Sequence, residues 1–285
     1  MRTRDAAPAA RPIEATVMVL THNSAATLDS ALESVSDFAE IIVCDGASSD
    51  ATRDIAIQHG ATLLEQDSAY TDDDGRLLDY GGVRHQVVQS ATKPWIFHLD
   101  ADEIATPELT EAIAGLDEAE CSAVAFRCSA RHLVGNVPIR SAANYPMLFT
   151  RVFHRESVTG YHGPINEHPM FNDDAEVADI AGEFLIPLPP LRTVLRKWVR
   201  YQRIIARDSY ADAVTDPITQ FRQDLRVTRW LAWRIWKTHR VEPGPHMPMR
   251  YDLSRVGFHL ASSCTGLTCR VAARLFSSVP SGTAS

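Results

Sequence analysis

Along the first 116 residues, short apolar runs alternate with polar stretches of helical length. Residues 15–20 (Ala-Thr-Val-Met-Val-Leu), 40–44 (Glu-Ile-Ile-Val-Cys), 61–65 and 95–99 (Trp-Ile-Phe-His-Leu) predict strands, the first and last of them buried. Between them Ser24, Ser48-Ser49-Asp50 and Thr106-Pro107 supply helix starts, and Gly60 supplies a stop. Helices are predicted up to residue 35, up to residue 58, over 82–90 and after 106. This cadence predicts an α/β fold with a mostly parallel, Rossmann-like sheet and right-handed crossovers. Beyond residue 120 the cadence breaks. Residues 122–127, 145–154 and 176–180 read as strands with long loops, as in a smaller mixed or antiparallel extension. From Leu191 the period becomes helical. Leu191, Val194, Leu195, Trp198, Val199 and Ile205 form one stripe, and Phe221, Leu225, Ala232 and Ile235 form another. Pro187, Pro189 and Pro190 precede this appendix, and Pro243, Pro245 and Pro248 divide it.

Of 285 residues, 45% are hydrophobic and 22% charged, enough to build a core and exclude global disorder. No apolar run approaches the roughly 18–20 residues that span a bilayer, and residues 1–12 lack the apolar stretch of a signal peptide. Five scattered cysteines do not make a disulfide framework, so a cytoplasmic, reduced protein with buried thiols is expected. The net charge of −8 hides an asymmetry: residues 1–190 carry −18 and residues 191–240 carry +8. The acidic body argues against a nucleic-acid polymer as partner. Residues 191–240 admit two readings. Trp230, Trp233 and Trp236 lie among Arg229, Arg234 and Lys237, as in a basic helix resting on a membrane surface. The same stripes serve equally to pack helices on protein.

Ligands of parallel sheets bind beyond the carboxyl ends of the strands. Three such ends carry Thr21-His22-Asn23, Asp45-Gly46 and Asp100-Ala101-Asp102. Two carboxylates spaced as Asp100 and Asp102 can hold Mg²⁺ or Mn²⁺ while the ion bridges a ligand's phosphates; the plain alternative is a solvated turn. Asp45 can accept hydrogen bonds from a base or ribose, or merely cap the next helix. Arg84 can aim its guanidinium at a phosphate, or be an exposed helix residue. His162, Glu167 and His168 offer a general base, or loop anchors; zinc has no firm spacing signature there. The P-loop, the Gly-x-Gly-x-x-Gly turn and the Gly-x-Ser-x-Gly elbow are missing, which argues against NAD, P-loop and serine-hydrolase chemistry.

Several strings together resemble family 2 glycosyltransferases. They are Val19-Leu20-Thr21-His22-Asn23, residues 40–52 with Asp45-Gly46-Ala47-Ser48-Ser49-Asp50, and Leu99-Asp100-Ala101-Asp102-Glu103. The last string, with Arg151-Val152-Phe153-His154-Arg155, is similar to the branch of lipopolysaccharide-core glucosyltransferases. The resemblance implies the GT-A (nucleotide-diphospho-sugar transferase) fold. It also implies a metal-dependent inverting transfer of sugar from a nucleoside-diphosphate sugar, a UDP-sugar by preference, to an acceptor hydroxyl. Carried over residue by residue, Thr21, His22, Asn23 and Asp45 hold the nucleotide, and Asp100 and Asp102 hold Mg²⁺ or Mn²⁺ on the diphosphate. Beside that match, Arg84 and Ala101 are taken as further donor contacts, and Glu167, His162 or His168 as the base, on the reading of the residues themselves. Two departures stand out: Asp-Gly-Ala after the second strand has one carboxylate where the family has two, and the late Glu-Asp pair is missing. A nucleotidyltransferase would need a Gly-rich basic loop after the first strand, and a catalytically dead sugar-nucleotide scaffold would not need Asp100-x-Asp102. The expected organisation is a disordered tail over 1–13 and a catalytic domain over 14–186. Its donor part covers 14–116 and its acceptor part 117–186. A helical region over 187–278 and a tail over 279–285 follow.

Overall fold

The computed structural model describes residues 11–71, 77–116, 121–162, 168–211 and 216–277. Two compact units account for them. One holds the described residues up to Arg131 and Pro146–Pro187; the other holds His132–Tyr145 and the residues from Leu188 onward.

The first unit is built on one sheet. Its strands are β1 (Ile13–Thr21), β2 (Phe38–Asp45), β3 (Thr62–Glu65), β4 (Trp95–His98), β5 (Ile104–Ala105), β6 (Ala125–Val134), β8 (Met147–His154) and β11 (Val177–Pro187). The end of β6 from His132 onward belongs to the other unit, together with β7 (Val137–Pro138), which pairs with Leu133 and Val134. A separate hairpin pairs β9 (Gly160–His162) with β10 (His168–Met170). The sheet order is β3-β2-β1-β4-β8-β6-β11-β5, with β7 paired to β6. The β3-β2-β1-β4 half is parallel, as expected from the apolar runs. The later strands extend the same sheet antiparallel, as an extension of that kind was expected to: β8 pairs with β4, and β6 with β8.

Helices α1 (Leu28–Glu33), α2 (Thr52–Gln58), α3 (Tyr80–Ser90) and α4 (Pro107–Ala114) cover the sheet. One core cluster joins Val17, Val43, Phe97, Leu32 and Leu109; another, on the other face, joins Met18, Ile42, Ile96, Val83 and Phe153. Alternate residues of β1 thus enter different cores, which is why its whole run is apolar. Helices α1 and α2 start later than expected. The serines at 24, 48 and 49 are spent on bonds between loops, and Thr27 and Ala51 precede the first turns without a side-chain cap. Helix α3 starts two residues early, because Asp79 accepts from Gly82 N at 2.9 Å. A Cβ on Gly82 would lie 2.3 Å from the Tyr70 ring, so only glycine fits there.

The second unit is helical: α5 (Leu191–Ala211), α6 (Pro217–Val241) and α7 (Met249–Ser277), with α5 and α6 both packed on α7. Asp216 caps α6 by accepting from Thr219 N at 2.8 Å, and Pro217 occupies its first turn. The expected stripes are partly internal. Leu191 and Val194 pack on Ile139, Met247 and Tyr251, while Leu231 and Ile235 pack on Ala143. Trp198 stacks 5.0 Å from Phe258, whereas Leu195 and Val199 stay exposed. Among the cysteines Cys44 and Cys128 are buried, with thiols pushed by burial up to about 12, but Cys264 is exposed, against expectation. No helix among the described residues is long and apolar enough to cross a membrane.

Candidate active site

The carboxyl ends of β1, β2 and β4 lie side by side because these strands are parallel and in register, Thr21 beside Asp45. The loops leaving β1 and β2 are laced together. Asn23 takes φ 51° and Ala47 φ 56°, a left-handed conformation that costs a non-glycine residue energy and is held here by surrounding bonds. Asn23 N donates to Ser48 Oγ at 2.8 Å, and Asn23 Oδ1 accepts from Ser49 N at 2.9 Å. Ser24 N donates to Thr52 Oγ1 at 2.7 Å, and His22 Nδ1 meets Gly46 O at 2.7 Å.

Asp45 lies beneath this lacing, 2% exposed. Its carboxylate accepts from Thr21 Oγ1 and Ser48 N, both at 2.9 Å, and from Ser48 Oγ, with Arg53 Nη1 at 3.8 Å. The side chain therefore ties the two loops together from below, while His22 and Asn23 present the exposed surface.

A second and more highly charged cluster lies at the end of β4. Arg151 Nη2 donates to Asp100 Oδ2 at 3.1 Å and to Glu103 Oε1 at 2.8 Å, and Arg84 Nη2 reaches Asp100 Oδ1 at 3.4 Å. His98 Nε2 lies 2.6 Å from Arg151 Nη1 and 2.9 Å from Asp100 Oδ1, and also meets Arg84 Nη1. Glu103 closes the turn by accepting from Asp100 N at 3.0 Å. The Arg151 guanidinium lies 5.0 Å from the Phe184 ring centre and 5.6 Å from that of Phe149.

The electrostatics follow from this crowding. Burial alone would push the Asp100 carboxyl up, but the Arg151 charge, the hydrogen bond with His98 and the Arg84 charge outweigh it and hold it well below its usual range. Burial, then Arg151 and Arg84, drive His98 well below the ordinary histidine value, so the ring is neutral. Burial pushes Glu103 up to about 8, with Asp100 and Asp102 adding to the rise and Arg151 opposing it. Burial works against the charge on Arg151, yet Asp100 and Glu103 raise its pKa further.

The sequence-derived candidates separate accordingly. Arg84 is buried in this cluster and is not an exposed helix residue. Ala101 packs its side chain into the core beneath the turn, which leaves only its main chain for a ligand. Asp102 is exposed at the mouth of the turn. His162 and His168 sit opposite one another across the β9–β10 pair, both exposed. Glu167 lies outside the described residues. The roles of His98 and Arg151 escaped the sequence reading, and Glu103 entered it only as the end of the acidic string, not as a buried partner of Arg151. A charged residue inside the otherwise apolar run Arg-Val-Phe was the one available signal for Arg151, since buried arginines need partners.

A divalent cation suits this donor set. Among the described residues no three His, Cys, Asp or Glu side chains gather to form a closed metal cage. Mg²⁺ and Mn²⁺ seated on phosphates need only one or two carboxylates, and exposed Asp102 beside ionised Asp100 supplies that.

Residues 16–171 match the family described as Glycosyl transferase family 2, which is more than half of the 285 residues. The chain is similar over 112 residues, at 36% identity, to a TPR repeat-containing protein of Synechococcus elongatus. The match covers 39% of this chain and 26% of that protein, so the chain spans about a quarter of its relative. Among solved structures it is similar to glucosyl-3-phosphoglycerate synthase from Mycobacterium tuberculosis, solved with Mn²⁺, UDP and glucosyl-3-phosphoglycerate. That match has 16% identity and TM-score 0.39 over 65% of this chain and 75% of the other. It is also similar to S. aureus TarS, at 13% identity and TM-score 0.41 over 92% of this chain and 55% of the other.

Proposed function

Because the chain belongs to glycosyl transferase family 2, we propose that it moves a sugar from a nucleoside-diphosphate sugar to an acceptor hydroxyl, with inversion and with a divalent cation. The observation that carries this reading is the acidic turn after β4. There Asp102 is exposed while Arg84 and Arg151 keep Asp100 ionised. Asp102 would hold Mg²⁺ or Mn²⁺, with Asp100 as a fixed negative charge behind it, and the cation would supply charge compensation for the departing diphosphate. His22, Asn23 and the main chain of the stitched loops receive the nucleoside, and Asp45 with Thr21 holds those loops in shape. The acceptor oxygen attacks the anomeric carbon as the bond to the diphosphate breaks, and that electron pair leaves with the phosphate. The acceptor proton passes to Glu167, with His162 and His168 as the other candidates.

The test is a thermal-shift screen of nucleotide sugars, UDP-sugars first, with and without Mn²⁺, followed by a transfer assay on each hit. A ligand at 100 times its Kd stabilises the native state by about 2.7 kcal/mol, which a thermal shift resolves. A donor that stabilises the protein only with metal supports the reading. Equal stabilisation without metal, or no response to any nucleotide sugar, overturns it.

A further inference from the structure

Helix α6 has two faces. Thr228, Leu231, Ile235 and Thr238 are buried on one. Asp224, the only acidic residue of α6, belongs to that inner side. It accepts from Gln220 Nε2 at 2.8 Å and lines a cavity of about 350 Å³ with Ser209, His259 and Ser263 of the same unit.

The other face is built differently. Trp230, Trp233 and Trp236 are 54%, 51% and 58% exposed. They are interleaved at spacings of three and four with Arg226, Arg229, Lys237 and Arg240, which places all of them on one side. Every arginine in this set is exposed, and Lys237 Nζ lies 5.5 Å from the Trp233 ring centre. Ile218, Val227 and Val241 add exposed aliphatic surface on the same helix. Three tryptophans in water among cations, with no acid between them, do not belong to a protein core or to an ordinary solvated face. Tryptophan rings favour the boundary between headgroups and acyl chains, while arginines favour lipid phosphates.

We infer that this face of α6 is a docking surface for an anionic lipid bilayer, which the protein meets peripherally. The tryptophans enter the headgroup boundary and the arginines lie on lipid phosphates. The charge is complementary, and the exposed aliphatics fit a partner with hydrocarbon beneath its phosphates better than a nucleic acid. Of the stripe of α6 that looked amphipathic in sequence only Ile235 is buried and Ala232 is exposed; the inner face runs through Thr228, Leu231, Ile235 and Thr238, and the binding face is its opposite. This inference does not depend on the chemistry assigned to the sheet unit.

The full chain is tested by co-sedimentation with phosphatidylglycerol-containing vesicles and with pure phosphatidylcholine vesicles, following tryptophan emission in parallel. The expected result is binding to the anionic vesicles with a blue shift, at least about tenfold weaker binding to neutral ones, and release at high salt. The combined variant Trp230→Ser, Trp233→Ser, Trp236→Ser replaces exposed side chains and should keep its circular dichroism while losing at least about tenfold in vesicle affinity. Arg226→Gln, Arg229→Gln, Arg240→Gln together should remove the salt dependence. Failure of the wild type to bind anionic vesicles at low salt overturns the proposal, as does unchanged binding by a folded tryptophan variant. Tighter binding to a single-stranded oligonucleotide than to vesicles would reassign the face to nucleic acid. A dimer in light scattering that the tryptophan variant dissociates would reassign it to a second copy of the chain.

Discussion

Each unit holds a histidine–aspartate pair with a buried member, and the two pairs have the same contact distance. His98 Nε2 lies 2.9 Å from Asp100 Oδ1, and His239 Nε2 lies 2.9 Å from Asp252 Oδ2. Their electrostatics are opposite. Asp100, with a side chain 38% exposed, has Arg84 and Arg151 as direct partners and stays ionised well below the usual range. Asp252, with a side chain 1% exposed, has its pKa raised by burial; His239, Arg255 and His246 pull the other way and lose. Its Oδ1 is buried without a hydrogen-bond partner. Distance to one histidine therefore does not decide the charge of a carboxylate. The number of cations set against desolvation decides it. In the sheet unit two arginines keep Asp100 charged, the state that the proposed metal and diphosphate site requires.

The largest expected effect comes from making the first pair resemble the second. Arg151→Met leaves Asp100 and Glu103 without their shared partner, and breaking a buried ion pair from one side costs about 3–5 kcal/mol. Chemical denaturation should report a loss of that size; a loss below 1 kcal/mol would mean the cluster is wet and the contrast false. Next comes Asp102→Asn, which keeps shape and removes charge. Metal-assisted stabilisation of a leaving diphosphate is worth several kcal/mol, so transfer should fall by about a hundredfold or more with the melting temperature unchanged. Asp252→Asn in the same assay should transfer like wild type.

A smaller effect is expected at Asp45, whose partners are mostly neutral. Asp45→Ala strands Thr21 and Ser48 donors beneath the loops and should cost about 1–3 kcal/mol of stability, together with nucleotide affinity measured by calorimetry. Stability lost with affinity intact would confine Asp45 to folding. The smallest effect belongs to Asp252→Asn. The raised carboxyl contributes stability below its unfolded value and loses that contribution as pH rises through its folded value. At pH 7 the amide should thus be within about 1 kcal/mol of wild type or better, and should flatten the decline of stability from acid toward neutral pH. A steeper decline would invert the assignment.

The parallel half of the fold was legible because its strands left short apolar runs, and β1, β2 and β4 meet Asn23, Asp45 and Asp100 at or within two residues of their ends. Asp45, Asp100 and Asp102 were legible for the same reason, being polar residues that stop such runs. Beyond β4 an antiparallel extension was legible but the order of its strands was not, since mixed strands with long loops give no period that fixes their neighbours. Likewise His98 and Arg151, 53 positions apart, meet only because β8 runs antiparallel to β4, with Phe97 opposite Val152. The tryptophans of α6 were visible in the sequence, but the side on which they stood was not. Two apolar sets share that helix, and either could have faced inward.

By itself, then, the chain's local pattern determined which segments are strands and helices and which acidic turns stand at strand ends, because apolar runs and breakers act over a few residues. Tertiary structure decided the charge states in the Asp100 cluster, the burial of Arg84 and the outward face of α6. Desolvation and ion pairing depend on which distant side chains share a volume, and only the packed sheet and the packed helices bring them there.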